Sequence, residues 1–191
     1  MIVMPDRDMF ENSLGPNHLL WFDGEYTGLN PDIDVILEIG FIATDFNLSV
    51  LDTYSSYVKQ EEAVIRELIA RNDHWIDKDS EAEEFIRRCS SGEPIEEIDI
   101  VLSGIAKKVN EEEVGILAGN SLFTDRSFIN TFMPNLASLL HYRMLDVSSF
   151  KIYVQSTRGV EFKKLLAHRA LSDIEESIEE FRALTQLLEE K

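Results

Sequence analysis

The hydrophobic pattern of the first part of the chain predicts three consecutive β-strands. An apolar run at 18–22 is typical of a buried strand, and 35–44 is rich in β-branched and aromatic residues, which favour extended structure. Turn-forming residues fill 27–32 between these two runs. A third strand is predicted over 48–58, after the turn at 45–47. Consecutive strands joined by short turns predict an antiparallel meander.

Beyond residue 60, apolar positions recur every three or four residues, which is the spacing of amphipathic helices. The predicted elements are helices at 61–72, 94–109 and 125–132, strands at 115–119 and 144–147, and a last helix whose apolar stripe is Ile174, Ile178, Phe181, Leu184 and Leu188. A meander followed by alternating strands and helices predicts an α/β domain. We therefore expect a mixed five-stranded sheet flanked by helices.

Length and composition are those of one soluble domain. The chain has 191 residues, of which 44% are hydrophobic and 28% are charged. No apolar run approaches the roughly 18 residues of a membrane span, and the opening residues lack the features of a signal or transit peptide. Cys89 is the single cysteine, so an intramolecular disulfide is excluded and a reducing compartment fits. We expect a cytoplasmic protein.

The charge balance argues against proteins that bind long nucleic acids. The chain has 36 acidic residues against 18 Lys and Arg, for a formal net charge of -18. Binding to an extended polyanion depends on Lys and Arg contacts with phosphates, so we expect contact with only a short piece of one. The acidic residues either solvate the surface or, where they cluster, bind divalent cations through oxygen.

Asp23 and Glu25 are the first candidates for such a cluster. They are two residues apart where the first strand ends, so both carboxylates point to one face of the sheet. Neighbouring carboxylates repel each other unless a cation lies between them. The alternative is a strand end with two solvated acids.

Three further candidates follow later in the chain, and each has a structural alternative. Asp125 comes after a predicted strand and an Asn-Ser turn, where an acid also serves as a helix cap. Asp173 lies early in the last helix, and His168 precedes it in the loop. A histidine beside a carboxylate can take a proton from water, whereas a lone histidine before a helix is usually a surface residue.

Together, these residues resemble the DEDDh exonuclease superfamily, which is named for four acids and a histidine. The matching strings are Trp-Phe-Asp-Gly-Glu-Tyr-Thr-Gly-Leu at 21–29, the segment 119–128, His-Tyr-Arg-Met-Leu-Asp-Val-Ser at 141–148, and the segment 168–174. The string at 141–148 is similar to that of the oligoribonuclease family in particular. The resemblance covers residues 19–188 and implies a ribonuclease H-like fold of the DnaQ-like type.

The resemblance also implies a domain organisation and a mechanism. Residues 18–191 would form a single exonuclease domain. Residues 1–17 would form an N-terminal extension, either ordered or disordered. Two Mg²⁺ or Mn²⁺ ions, about 3.5–4 Å apart, would be the cofactors of phosphodiester hydrolysis. His168 would be the general base. The residues implied as metal ligands are Asp23, Glu25, Asp125 and Asp173.

The same resemblance implies a substrate and its contacts. The substrate would be a very short RNA oligomer, degraded from the 3′ end to nucleoside 5′-monophosphates. Leu29 would wedge between bases, Trp75 would contact a base, and Tyr142 would reach the neighbouring site of a homodimer. Around the terminal phosphate we expect Asn120, Ser121, Arg143 and Ser148. The alternatives are a core aromatic for Trp75, and interface or surface packing for Tyr142 and Arg143.

The sequence departs from the family pattern at three places. Gly24 stands where a larger apolar residue is usual, and Tyr26 stands where methionine is usual. The segment 77–85 lacks the expected His and Ser-Gly-Leu features, which affects the substrate side and leaves the metal ligands intact. The alternative functions are an exonuclease that trims longer RNA or single-stranded DNA, a nucleotide-binding module without turnover, and an acidic interaction protein.

Overall fold

The structure, a computed structural model, describes residues 18–110, 114–159 and 169–189. The predicted N-terminal extension at 1–17 and the predicted general base His168 lie outside the described residues. Both remain predictions.

Five strands form one mixed sheet with the order β3-β2-β1-β4-β5 in the described part of the chain. The strands are β1 His18–Tyr26, β2 Ile36–Asp45, β3 Val50–Tyr57, β4 Gly115–Gly119 and β5 Leu140–Asp146. β1 pairs antiparallel with β2, and β2 pairs antiparallel with β3, so the predicted meander is confirmed. β1 and β4 are parallel, as are β4 and β5. The mixed sheet is therefore confirmed, with β1 at its centre.

Helices flank this sheet. They are α1 Glu62–Ile69, α2 Asp79–Cys89, α3 Ile95–Val109, α4 Phe123–Phe132, α5 Pro134–Ala137, α6 Val147–Arg158 and α7 Ala170–Glu189, with a 3-10 turn at Asp73–Trp75. The helical spacing predicted α1, α3, α4 and α7, whereas α2, the short α5 and α6 were not predicted. None of the described helices combines the length and the apolar content needed to cross a membrane.

α2 and α6 were missed for identifiable reasons. α2 has charged residues at most of its positions, and its apolar side is confined to Ala82, Phe85, Ile86 and Cys89, which are buried. α6 begins where the fifth strand was expected to end. The carboxylate of Asp146 accepts a hydrogen bond from the Ser148 amide (2.9 Å) and caps the new helix. Val147 is thus the first residue of α6 rather than the last of a strand.

The two faces of β1 pack into different clusters because side chains alternate along a strand. Leu20 and Phe22 face α3 and α4 in one buried cluster. Leu19 and Trp21 face α6 and α7 in another. A third cluster joins β2 to α1 and α2 and includes the free thiol of Cys89. Since Asp23 and Glu25 continue the series of Leu19 and Trp21, they face α7.

Candidate active site

Three carboxylates meet at the end of β1. Asp23 and Glu25 come from β1 and Asp173 from the first turn of α7. One ligand oxygen from each lies within 4.8 Å of the other two. The strand alternation that directs Asp23 and Glu25 to the α7 side therefore brings them to a residue 148 positions later than Glu25 in the chain. The structure confirms the expected shared face.

Gly40 allows α7 to approach this closely. It is the β2 partner of Asp23, and a Cβ atom on it would lie 2.7 Å from the Ala170 carbonyl carbon and 2.8 Å from the Leu171 nitrogen. The first turn of α7 therefore rests directly on the backbone of β2. This contact between α7 and β2 positions Asp173 beside the two β1 carboxylates.

Asp125 reaches the same strand end from the first turn of α4. β1 and β4 are parallel, so the segment that follows β4 lies at the edge where β1 ends. The Asp125 Oδ1 atom accepts a hydrogen bond from the Gly24 amide (3.2 Å) and one from the Tyr26 hydroxyl (2.7 Å). Asp125 is buried and does not belong to the three-carboxylate group. The structure thus places all four predicted acids around one strand end.

Burial and like charge make the site unfavourable for negative charge. Burial, together with the charges of Asp173 and Glu38, raises the pKa of Glu25 to about 7. Burial likewise raises the pKa of Asp125 to about 6, against the opposing effect of its hydrogen bonds from Tyr26 and Gly24. Each raised pKa reflects a free-energy cost of ionising the carboxyl group, and a bound cation would remove that cost.

The donor set fits a hard divalent cation. Mg²⁺ prefers carboxylate oxygens at about 2.0–2.1 Å, so two oxygens on one ion lie roughly 3–4 Å apart. The three oxygens within 4.8 Å need only small side-chain movements to reach that spacing. Asp23, Glu25 and Asp173 therefore suit one divalent ion.

Three of the predicted phosphate-binding residues form one hydrogen-bonded cluster. The Ser121 and Ser148 hydroxyl oxygens are 3.1 Å apart, and the Ser148 hydroxyl donates to the Asn120 side-chain oxygen (3.0 Å). The Asn120 amide donates in turn to Ser177 (2.8 Å) and Glu180 (3.2 Å) on α7. The cluster is therefore tied to the helix that carries Asp173.

The other predicted substrate residues fall into two groups. Leu29 has 77% of its surface exposed, which fits a residue that contacts a ligand. Trp75 has 5% exposed, its indole N–H donates to the Thr27 carbonyl (3.2 Å), and its ring packs edge-on against Phe85. This burial favours the core-aromatic alternative for Trp75.

Tyr142 and Arg143 lie on the edge strand β5. Tyr142 is 72% exposed, and the Arg143 guanidinium lies 4.8 Å from the centre of its ring. Among the contacts of the described residues, Arg143 does not join the cluster of Asn120, Ser121 and Ser148.

Comparisons with known proteins agree with this geometry. The exonuclease family profile, of the RNase T type, matches residues 20–181. The oligoribonuclease of Tropheryma whipplei is 35% identical over 170 residues, which are 86% of this chain and 90% of the relative. That of Corynebacterium efficiens is 38% identical over 176 residues, which are 86% of this chain and 76% of the relative. The chain belongs to the oligoribonuclease family of exonucleases. It is a nuclease, a phosphodiester hydrolase.

Solved structures of exonuclease I share the fold of this family member. Exonuclease I from Methylocaldum szegediense aligns with a TM-score of 0.63 at 16% identity, over 91% of this chain and 40% of that protein. E. coli exonuclease I in complex with a dT13 oligonucleotide aligns with a TM-score of 0.58, over 91% of this chain and 41% of that one. The chain spans about two fifths of the exonuclease I length, and the likeness shows the fold alone.

The sequence reasoning missed a charged group behind the site of this exonuclease. Glu38, the β2 partner of Glu25, is buried, and Arg169 lies 3.7 Å from its carboxylate. Arg169 also pairs with Glu84 (2.6 Å) and donates to the Tyr57 hydroxyl (2.9 Å). An acid inside an otherwise apolar strand run is a signal that was available, since burying a charge is costly without a partner.

Proposed function

We propose that this chain removes nucleotides from the 3′ end of very short RNA oligomers and releases nucleoside 5′-monophosphates. The observation that carries the proposal is the cluster of Asp23, Glu25 and Asp173, whose oxygens lie within 4.8 Å of one another. The oligoribonuclease relatives support the substrate class. Asp125 and His168 complete the proposed catalytic set.

The residues divide the chemical work between them. Asp23, Glu25 and Asp173 would hold one Mg²⁺ or Mn²⁺ ion, and Asp23 and Asp125 the second. When bound, such ions lower the pKa of a water and stabilise the charge on the leaving oxygen. His168 accepts the proton of the attacking water, a role that the resemblance supplies.

The hydroxyl cluster supports a limit on substrate length. Asn120, Ser121 and Ser148 offer neutral hydrogen-bonding groups next to the helix that carries Asp173, and Arg143 on β5 would add a planar cationic donor. We propose that these four residues bind the terminal 5′ phosphate. Leu29 would separate the bases, while Trp75 would support the segment that carries Leu29, because its indole N–H donates to the Thr27 carbonyl (3.2 Å).

We further propose a cytoplasmic homodimer in which Tyr142 reaches the neighbouring site. The support is the position of Tyr142 on the edge strand β5, with 72% of its surface exposed. An exposed edge strand with apolar side chains is a surface that proteins usually cover. Met144, two residues later on β5, is exposed as well.

A pair of labelled substrates tests the activity. We expect rapid, metal-dependent loss of a 5′-labelled RNA dinucleotide, while an RNA of about 20 nucleotides, longer than a typical single-strand binding site, is shortened slowly. Chelation and Asp23→Ala should each abolish cleavage. Asp52→Ala is the matched control, because Asp52 lies on β3 and pairs with Lys108 at the surface.

Two results would contradict the proposal. Efficient shortening of the longer RNA would assign the chain to exonucleases that trim long 3′ ends, and would remove the phosphate-binding role of the hydroxyl cluster. Binding of the dinucleotide without product would indicate a binding module.

A further inference from the structure

Tyr26 lies on the face of β1 opposite to the three clustered carboxylates. Side chains alternate along the strand, so Gly24 and Tyr26 continue the series of Leu20 and Phe22 toward α4. Tyr26 stacks on Phe128 of α4, with ring centres 4.1 Å apart and an interplanar angle of 29°. Phe128 lies one helical turn after Asp125, so the same helix carries the ring that supports Tyr26 and the acid that it contacts.

The phenol holds one oxygen of Asp125. The Tyr26 hydroxyl donates to Asp125 Oδ1 at 2.7 Å, and the Gly24 amide donates to the same oxygen at 3.2 Å. A hydrogen bond to a carboxylate is stronger than one between neutral groups. Two donors on Oδ1 therefore fix the orientation of the carboxylate and direct the other oxygen to a separate partner.

Gly24 provides the space that the phenol occupies. A Cβ atom at position 24 would lie 2.3 Å from the Tyr26 hydroxyl oxygen and 2.5 Å from the ring carbon that bears it. No side chain larger than hydrogen fits there while the hydroxyl stays on Asp125. The two departures from the family pattern, Gly24 and Tyr26, are therefore one coupled feature.

We propose that Tyr26 is a positioning residue that orients Asp125 for the second metal ion, and that Gly24 is required for it. This inference rests on the proposed function, because it presumes that Asp125 binds a cation. The three oxygens of Asp23, Glu25 and Asp173 are already grouped by β1 and α7. Asp125 comes from a different helix, and the Tyr26 hydroxyl is a hydrogen-bond donor to its carboxylate.

Metal binding without substrate tests the inference. Mn²⁺ binding is measured by electron paramagnetic resonance of the free ion on the full chain. Tyr26→Phe keeps the stacked ring and removes only the hydroxyl, so it should weaken Mn²⁺ binding by about threefold to tenfold, the worth of one hydrogen bond. Tyr54→Phe is the matched control, because the Tyr54 hydroxyl donates to Glu93 (3.0 Å) away from the site, and it should leave Mn²⁺ binding unchanged.

Gly24→Ala tests the coupling. In the wild-type background it displaces the phenol and should weaken Mn²⁺ binding as Tyr26→Phe does. In a Tyr26→Met background it should have little further effect, because the phenol that the new Cβ would meet is gone. If Gly24→Ala weakened Mn²⁺ binding equally in the wild-type and Tyr26→Met backgrounds, the coupling between Gly24 and Tyr26 would be overturned.

The outcomes separate this inference from the proposed function. Unchanged or tighter Mn²⁺ binding by Tyr26→Phe overturns the positioning role, because the phenol is then either neutral or a competitor of the metal. Absence of saturable Mn²⁺ binding by the wild type overturns the metal site itself. A loss of thermal stability alone, with equal Mn²⁺ affinity, also overturns the inference by reducing Tyr26 to a packing residue.

Discussion

At the scale of single residues, the carboxylates at the end of β1 are placed where negative charge is disfavoured. Partial burial and the charges of Asp173 and Glu38 raise the pKa of Glu25 to about 7, and burial raises the pKa of Asp125 to about 6. The protein therefore holds protons at this site that the unfolded chain has released. The site becomes fully charged only near neutral pH, where a divalent cation compensates the repulsion.

This protonation predicts how stability depends on pH. Glu25 has a higher pKa when folded than the ordinary 4.5, so the folded state binds more protons between about pH 4.5 and 7. The free energy of unfolding of the metal-free protein should therefore fall as the pH rises through this interval. Thermal melts at a series of pH values in chelator measure this slope, and added Mg²⁺ should raise the melting temperature most at the upper end.

Glu25→Gln should make that slope shallower, because the amide does not titrate, and the part that remains should come from Asp125. The matched control is Glu96→Gln, which changes an exposed acid in the first turn of α3 and should leave the slope in place. An unchanged slope in Glu25→Gln would contradict the assignment of the effect to this carboxyl.

At the scale of elements, the contact between α7 and β2 decides whether Asp173 reaches the site. The first turn of α7 lies so close to Gly40 that an added Cβ would be 2.7 Å from the Ala170 backbone. A strand position that approaches a helix backbone in this way requires glycine. The cluster of Asp23, Glu25 and Asp173 therefore depends on a residue that bears no functional group.

Gly40→Ala should lower both stability and activity. Pushing α7 away from β2 costs about 1–3 kcal/mol of overpacking and moves Asp173 out of the cluster. Denaturant melts and dinucleotide hydrolysis measure the two effects. Gly104→Ala is the control, because nothing lies near its Cβ and the exposed mid-helix position should gain about 0.5–1 kcal/mol of stability. A Gly40→Ala variant with full activity would contradict this contact.

At the scale of the whole molecule, the net charge of -18 repels long polyanions much more strongly than it repels a dinucleotide. A dinucleotide has few phosphates, so little of its binding free energy comes from released counterions. Under the proposed function, recognition would rest on metal ions and on the hydroxyl cluster of Asn120, Ser121 and Ser148 rather than on a basic surface. The acidic composition and the short substrate are thus consistent with one another.

This balance predicts a shallow dependence on salt. The kcat/KM for a dinucleotide should fall by less than about threefold between about 50 and about 200 mM KCl, because few phosphate contacts are lost. Steady-state kinetics at constant free Mg²⁺ measure it. A steep decrease, of the size seen when many phosphates are neutralised, would show an extended nucleic-acid surface and contradict the limit on length.

The sequence by itself determined features that depend on neighbours in the chain. The meander of β1 to β3 follows from apolar runs and turn residues, and the shared face of Asp23 and Glu25 follows from strand alternation. The apolar stripe of α7 determined which side of that helix packs on the sheet. The order of the acids also carried the resemblance to the exonuclease family, which the comparisons then showed.

Only the tertiary structure decided the contacts between distant segments. The sequence left the role of Trp75 open, and its burial against Phe85 depends on α2, a helix whose charged composition hid its apolar side. The bond between Tyr26 and Asp125 joins residues 99 positions apart, and it exists because Gly24 leaves room and α4 supplies the stacking ring. Periodicity reports which face of an element is apolar, whereas the distance between two functional groups is set by how the elements pack.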